Sequence, residues 1–209
     1  MQVIIFGASG KIGSRLVAEM LKRGHTVTAF VYGRSDFTTD ERLRVVEGDV
    51  RSLDDVAKAL HDQDAVLSCL GSWGTPTKDI LTSGMQTIIP SMQRQGVRRI
   101  ISLTGADARD TEDEPGLMQK FSHQLISLFA PKIVEDGEAH LRLLRASNLD
   151  WTVLRSPVMT NSGRFGGYKL RMKLPNLWAT INRQDVVAAM ADLVESDSFV
   201  AKAPVIYRA

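Results

Sequence analysis

Residues 3–13 read Val-Ile-Ile-Phe-Gly-Ala-Ser-Gly-Lys-Ile-Gly. An apolar strand runs into glycines at 7, 10 and 13, and a helical pattern follows at once. No other feature limits the possible folds of this chain as strongly. A strand, a glycine turn and a helix bring backbone N–H groups and the positive end of a helix dipole to one point, which suits a dinucleotide pyrophosphate. Gly7 permits the tight turn, Gly10 lets the backbone approach the phosphates, and Gly13 lets the helix pack close to the sheet. The phosphate-binding candidates are Gly7, Ser9, Gly10, Lys11, Ile12 and Gly13. Such a turn is a weak signal by itself, so the elements around it must supply the context.

The rest of the chain supplies it. Strands are predicted at Val3–Phe6, Thr26–Val31, Leu43–Glu47, Ala65–Leu70 and Arg99–Leu103. Helices are predicted at Lys11–Arg23, at Leu53–Leu60 with Ser52 as its cap, and at Thr77–Gln95 with a kink or break at Pro90. Apolar strands alternating with helices predict a parallel sheet covered on both faces. The fold class is therefore α/β, a Rossmann-type doubly wound parallel sheet in the order 3-2-1-4-5-6 with a small C-terminal substrate region. Further on, Leu117–Phe129 and Val134–Ser147 read as helices, Trp151–Leu154 as strand six, Arg183–Glu195 as a helix and Pro204–Tyr207 as a last strand. Residues 1–209 form a single domain, with 156–181 as a substrate-pocket insertion.

Composition narrows the function classes. The formal net charge is +2, from 26 basic and 24 acidic residues, and no basic run dominates, so nucleic-acid binding is not expected. The single cysteine, Cys69, lies in an apolar run and reads as a buried, inert thiol; no metal site is expected. No segment has the apolar length of a membrane span, and the chain enters a strand directly, so a cytoplasmic protein is expected. With no long exposed apolar stripe evident, a monomer or weak homodimer is expected.

Ligands of such sheets sit at the carboxyl ends of the strands, near the switch point. The turns there are Gly7–Gly13, Tyr32–Asp36, Gly48–Val50, Leu70–Gly74 and Thr104–Arg109. An NAD site usually has an acid at the end of strand two. Here that end reads Tyr32-Gly33-Arg34-Ser35, with no acid until Asp36. Arg34, Ser35 and Lys11 can meet a 2′-phosphate, which favours NADP(H) over NAD(H). Asp49 can accept from the adenine amino group while Val50 packs on the ring. Leu70, Gly71, Thr104, Gly105 and Pro157 complete the candidate cofactor-binding set.

The chain resembles the atypical short-chain dehydrogenase/reductase family over nearly its whole length. The resemblance is carried by the glycine turn, Gly48-Asp49-Val50, Asp64-Ala65-Val66 leading to Leu70-Gly71, and Gly96-Val97-Arg98-Arg99. It continues in the run from Leu144 to Pro157 and in Ile181-Asn182-Arg183-Gln184-Asp185-Val186-Val187. The layout is similar to that of NmrA-like NADP-binding proteins and of biliverdin-IXβ reductase, which is also a flavin reductase. This resemblance implies a Rossmann core, a nicotinamide cofactor and a small pocket built from the C-terminal third.

The Tyr-x-x-x-Lys pair of the wider family is absent: Ile133 and Gly137 fall where the pair would be, and Thr104-Gly105 where the usual serine would be. The expected activity is an NADP(H)-dependent oxidoreductase that reduces a flavin-, quinone- or tetrapyrrole-like small acceptor by direct hydride transfer. The alternative is a non-catalytic NADP-binding redox sensor or assembly factor of the NmrA-like type. The catalytic candidates are His140 and Thr104. The substrate-pocket candidates are Trp73, Met159, Phe165 and Tyr168. Arg155 is expected to pair with a carboxylate such as Asp185 and so fix the end of strand six, and Asp136 and Glu138 either to support the site from behind or to orient the nicotinamide end.

Overall fold

A computed structural model describes residues 1–209 apart from Arg34, Gly74 and Leu177. Its main sheet has eight strands in the order β3-β2-β1-β4-β5-β6-β10-β8. These are β1 Gln2–Phe6, β2 Thr26–Val31, β3 Leu43–Glu47, β4 Ala65–Ser68, β5 Arg99–Gly105, β6 Asp150–Ser156, β8 Tyr168–Arg171 and β10 Val205–Arg208. The first six follow the order read from the sequence, and all their pairings are parallel. The helices are α1 Gly13–Lys22, α2 Leu53–Ala59, α3 Ile80–Gln95, α4 Leu117–Phe129, α5 Pro131–Arg145 and α6 Arg183–Val194.

The two faces of the sheet bury two cores. Val3, Ile5, Leu67 and Ile101 pack under α1 and α6, while Ile4, Phe6, Val66 and Ile100 pack under α2, α3 and α5. Successive strand residues point to opposite faces, so a strand covered on both sides is apolar throughout.

Four expectations change. Pro90 does not break α3, which runs on past it to Gln95; neighbouring Ile88 and Met92 are fully buried and hold the helix against the sheet. Helix α5 begins at Pro131 rather than at Val134, because a proline at the first helical position has no N–H to satisfy. The stretch 156–181 holds three short strands, β7 Val158–Thr160, β8 and β9 Thr180–Asn182. Strands β7 and β9 pair in parallel as a separate ribbon, and β8 runs antiparallel to β10 at the sheet edge. Leu177, within this stretch, lies outside the described residues.

The fourth change concerns α4. No residue of this helix is buried, and Leu117, Phe121, Leu128 and Phe129 are each more than half exposed. Its half-buried positions are Gln119, Ser122, His123, Ile126 and Ser127. The helix thus lays its more polar side on the body of the protein and turns an apolar stripe outward. Contrary to the expectation, the protein exposes an apolar stripe on this helix. Among the described residues no helix is long and apolar enough to cross a membrane.

Candidate functional site

The glycine turn has the geometry of an anion cradle. Gly7 adopts φ +73°, and a Cβ there would stand 2.9 Å from the Cys69 carbonyl carbon. At Gly13 a Cβ would stand 2.1 Å from the Gly7 oxygen and 2.8 Å from the Ala8 Cα, so only glycine lets α1 start this close to the turn. Ser9, Gly10 and Lys11 are exposed, whereas Ile12 and Gly13 are buried beneath them. Helix α1 has no side-chain cap and no acid in its first turn. Helix α2 is capped by Ser52 and α6 by Asn182, while α4 and α5, like α1, have no side-chain cap. An uncapped helix start keeps its N–H groups available for a ligand, and a pyrophosphate fits this cradle.

Beside it, Ser9 and Ser14 share the wall of a cavity of about 460 Å³ with Ser35, Asp36, Phe37 and Thr38. Residues 35–38 of the segment after β2 thus lie beside the glycine turn. Arg34, the cation proposed for a 2′-phosphate, lies outside the described residues.

Asp49 is already engaged. Arg51 Nη2 donates to its Oδ2 at 2.7 Å and Nε to its Oδ1 at 3.0 Å. These bonds hold the carboxyl below the usual carboxylate range. It remains ionised and retains acceptor capacity. Val50 is 6% exposed and packs in the core, so little of it is offered to a ring. Leu70 packs half-buried against the same core, with its Cδ1 2.7 Å from where a Gly84 Cβ would be; Gly71 is exposed. Burial pushes the Cys69 thiol up to about 12, which keeps it protonated.

At the other end of the cofactor groove, β5 and β6 finish in register. Thr104 faces Arg155 and Gly105 faces Ser156, and Ala106 N–H donates to the Ser156 carbonyl at 2.8 Å. Thr104 is 7% exposed and abuts Gly137 of α5. A Cβ at Gly137 would stand 2.8 Å from the Ala108 Cβ and 3.0 Å from Thr104 Oγ1. There is no room here for the family's lysine: α5 packs directly on the end of β5. The missing Tyr/Lys pair is thus built into the packing.

Several site expectations are corrected here. His140 is fully buried, and its Nε2 shares a 2.8 Å hydrogen bond with Ser102 Oγ. Burial pulls the imidazole down to about 4, so it is neutral at pH 7 and reaches no ligand. Its helix neighbours Gly137, Leu141 and Leu144 are buried with it, which makes it a core residue. Tyr168 lies on the edge strand β8, where its hydroxyl donates to Asp192 of α6; burial, reinforced by that carboxylate, pushes the phenol up. Met159 packs half-buried on the core under α1 and α6. Trp73 and Phe165 are 64% and 68% exposed, and neither is among the residues lining the cavity at the ends of β5 and β6.

Arg155 pairs with a carboxylate, but with Asp113 rather than Asp185. It is fully buried and donates twice to Asp113, at 2.5 and 2.8 Å, and once to the Ala203 carbonyl at 2.8 Å. Asp113 comes from the acidic loop after β5, which Arg155 pins to β6. Asp185 accepts instead from the Gly166 N–H at 2.8 Å. Asp136 accepts from Ser72 Oγ and from the N–H groups of Leu81 and Thr82, at 3.1 and 2.8 Å. It caps α3, which has no cap of its own, and does not face a nicotinamide site.

The cavity that does form at the ends of β5 and β6 measures about 110 Å³. Ala106, Asp107 and Arg109 line it from the loop after β5, Ser156, Pro157 and Val158 from the end of β6, and Leu174 to Asn176 from the segment before β9. Helix α4 closes it with Gln119, Ser122, His123 and Ile126. Pro157, a cofactor-binding candidate of the sequence, lines this cavity. The sequence reading missed the α4 residues, although their spacing of 119, 122, 123 and 126 is one helical stripe opposite the apolar one. His123 Nε2 lies 2.8 Å from Glu138 Oε1 of α5. Asp107 tucks over Gly105, and burial pushes its carboxyl up. No group of three or more possible metal ligands occurs among the described residues.

Comparison with known proteins agrees with this geometry. The family model described as NAD(P)H-binding matches residues 7–197. A provisionally assigned epimerase of Bacteroides thetaiotaomicron superposes with a TM-score of 0.83 at 29% identity, covering 100% of this chain and 97% of that one. A short-chain dehydrogenase/reductase of Veillonella parvula, solved in complex with NADP, superposes with a TM-score of 0.80 at 22% identity, covering 99% and 94%. The photosystem II assembly factor Ycf39 of Synechocystis is 22% identical over 97% of this chain and 61% of its own length. With its Rossmann sheet, its uncapped glycine turn and this family match over most of its length, the chain belongs to the NAD(P)H-binding family.

Proposed function

We propose that the chain is an NADP(H)-dependent reductase of a small acceptor of flavin, quinone or tetrapyrrole type, working without a Tyr/Lys pair. The observation that carries this reading is the cavity bounded by Ala106, Pro157 and α4, which lies at the ends of β5 and β6 on the ligand-binding edge of the sheet. The nicotinamide supplies a hydride when bound, so the protein must bind, orient and exclude water. Gly7–Gly13 would hold the pyrophosphate, Gly105 and Pro157 the nicotinamide end, and Asp49 the adenine amino group. Ser9 and Ser35 share a cavity wall with Asp36 beside the place of the ribose, and the absence of an acid from Tyr32 to Ser35, directly after β2, supports NADP(H) over NAD(H). Tighter binding of NADH than of NADPH in a fluorescence titration would overturn that preference.

The function is tested by following NADPH oxidation with FMN, riboflavin, menadione and biliverdin. Turnover of at least one is expected; tight NADPH binding with no turnover of any would defeat the reading.

A second reading is an NADP-binding sensor or assembly factor. The outward apolar stripe of α4 favours it, since exposed apolar faces mark interaction sites, and so does the likeness to an assembly factor. A cytoplasmic location and a small-molecule rather than nucleic-acid partner accompany the reductase reading. A monomer or weak homodimer is checked by sedimentation, where a stable higher oligomer would refute it.

A further inference from the structure

The geometry points to His123 as the proton donor of this site, with Glu138 as its positioning residue. The inference rests on the reductase reading and names the group which that reading leaves open. Four observations carry it. The His123 ring lines the cavity at the ends of β5 and β6, whereas His140 is sealed in the core. Glu138 lies behind it on α5, with Oε1 2.8 Å from Nε2 and 3.3 Å from the Arg109 N–H that donates to it. The two side chains are 27% and 23% exposed, dry enough to hold an orientation and wet enough to regain a proton. Helix α4 presents this polar stripe inward at the cost of an exposed apolar stripe. That inversion is costly unless the inward residues meet a ligand or another group.

The chemistry balances. The acceptor takes a hydride from the reduced cofactor, which leaves as the oxidised form, and becomes an anion at oxygen or nitrogen. An N–H bond of the His123 imidazolium breaks as a new O–H or N–H bond forms on the acceptor. With Nε2 held by Glu138, Nδ1 is the nitrogen with the proton to give, and water returns it after turnover. The charged groups around the ring are Asp107 and Arg109 from the loop after β5 and Glu138 from α5.

The test uses the full chain and whichever of FMN, riboflavin, menadione and biliverdin the wild type reduces. His123→Gln is expected to lower kcat about 100-fold with unchanged NADPH affinity, and to abolish the pH-dependent limb and solvent isotope effect of the wild type. Glu138→Gln is expected to give an intermediate loss and serves if His123→Gln does not fold. Independently of turnover, diethyl pyrocarbonate should modify His123, read by peptide mass, and the bound acceptor should slow that modification in NADP⁺-loaded protein. A His123→Gln rate within about twofold of wild type, or unprotected labelling, overturns the donor role and leaves the reductase standing. No turnover of any acceptor by the wild type overturns the reductase reading and this role together.

Discussion

Replacing Gly13 by alanine sets two effects of opposite sign against each other. On helix propensity alone, Gly13→Ala should stabilise the start of α1 by at most about 1 kcal/mol. The packing argues otherwise. The new Cβ would stand 2.1 Å from the Gly7 oxygen, 2.8 Å from the Ala8 Cα and 2.9 Å from the Ala8 oxygen, where ordinary contact begins near 3.4 Å. The obstructing atoms are backbone of the glycine turn, so no flexible side chain can move aside. Relief requires α1 to back away by about 1 Å, and overpacking of this kind costs about 1–3 kcal/mol. A net loss of about 1–2 kcal/mol is expected, lowering Tm by about 2–8 °C for a chain of this size. The shift also carries the helix start away from the phosphates, so NADPH affinity should fall at least about tenfold, or 1.4 kcal/mol. Urea denaturation and NADPH fluorescence titration read the two effects separately. Gly10→Ala is the control: its Cβ would meet only the Gly7 oxygen at 3.1 Å, and the residue is exposed, so affinity should fall with little change in stability. A Gly13→Ala protein as stable as the wild type, with unchanged affinity, would refute the reasoning.

Asp113→Asn removes the carboxylate that neutralises fully buried Arg155 and should cost about 3–5 kcal/mol, read as a fall in the urea midpoint; a midpoint near that of the wild type would refute it. His140 is depressed to about 4 in the folded protein, against about 6.5 unfolded. The unfolded chain thus binds more protons between these values, so this contribution is complete above pH 6.5 and is lost as pH falls toward 4, by about 2 kcal/mol at pH 5. In His140→Gln that part of the pH dependence of the urea midpoint should disappear. Gly137→Lys should destabilise the protein and install no carbonyl-reductase activity, because Thr104 and Ala108 already fill the space; a stable, active variant would refute that packing argument.

The sheet order was legible because each step is local: an apolar run, a turn and an amphipathic helix, joined by right-handed crossovers. The glycine turn was legible for the same reason, since Gly7, Gly10 and Gly13 lie within seven consecutive residues. What failed depended on contacts distant in sequence. Arg155 finds Asp113, 42 residues away, rather than Asp185, and Asp136 caps a helix 54 residues before it. His140 was misread although its neighbours Gly137, Leu141 and Leu144 mark the buried stripe of α5. His123 was passed over because amphipathicity normally turns the apolar side inward, and α4 does the reverse. The strands β7 and β9 have three residues each, too short for a period of two to register.

The account stands most directly on acceptor-dependent NADPH oxidation by the purified wild-type chain, followed at the nicotinamide absorbance band. The prediction is saturable consumption of NADPH with at least one of FMN, riboflavin, menadione or biliverdin, matched one for one by reduced acceptor. Tight NADPH binding with no consumption above background for all four would contradict it.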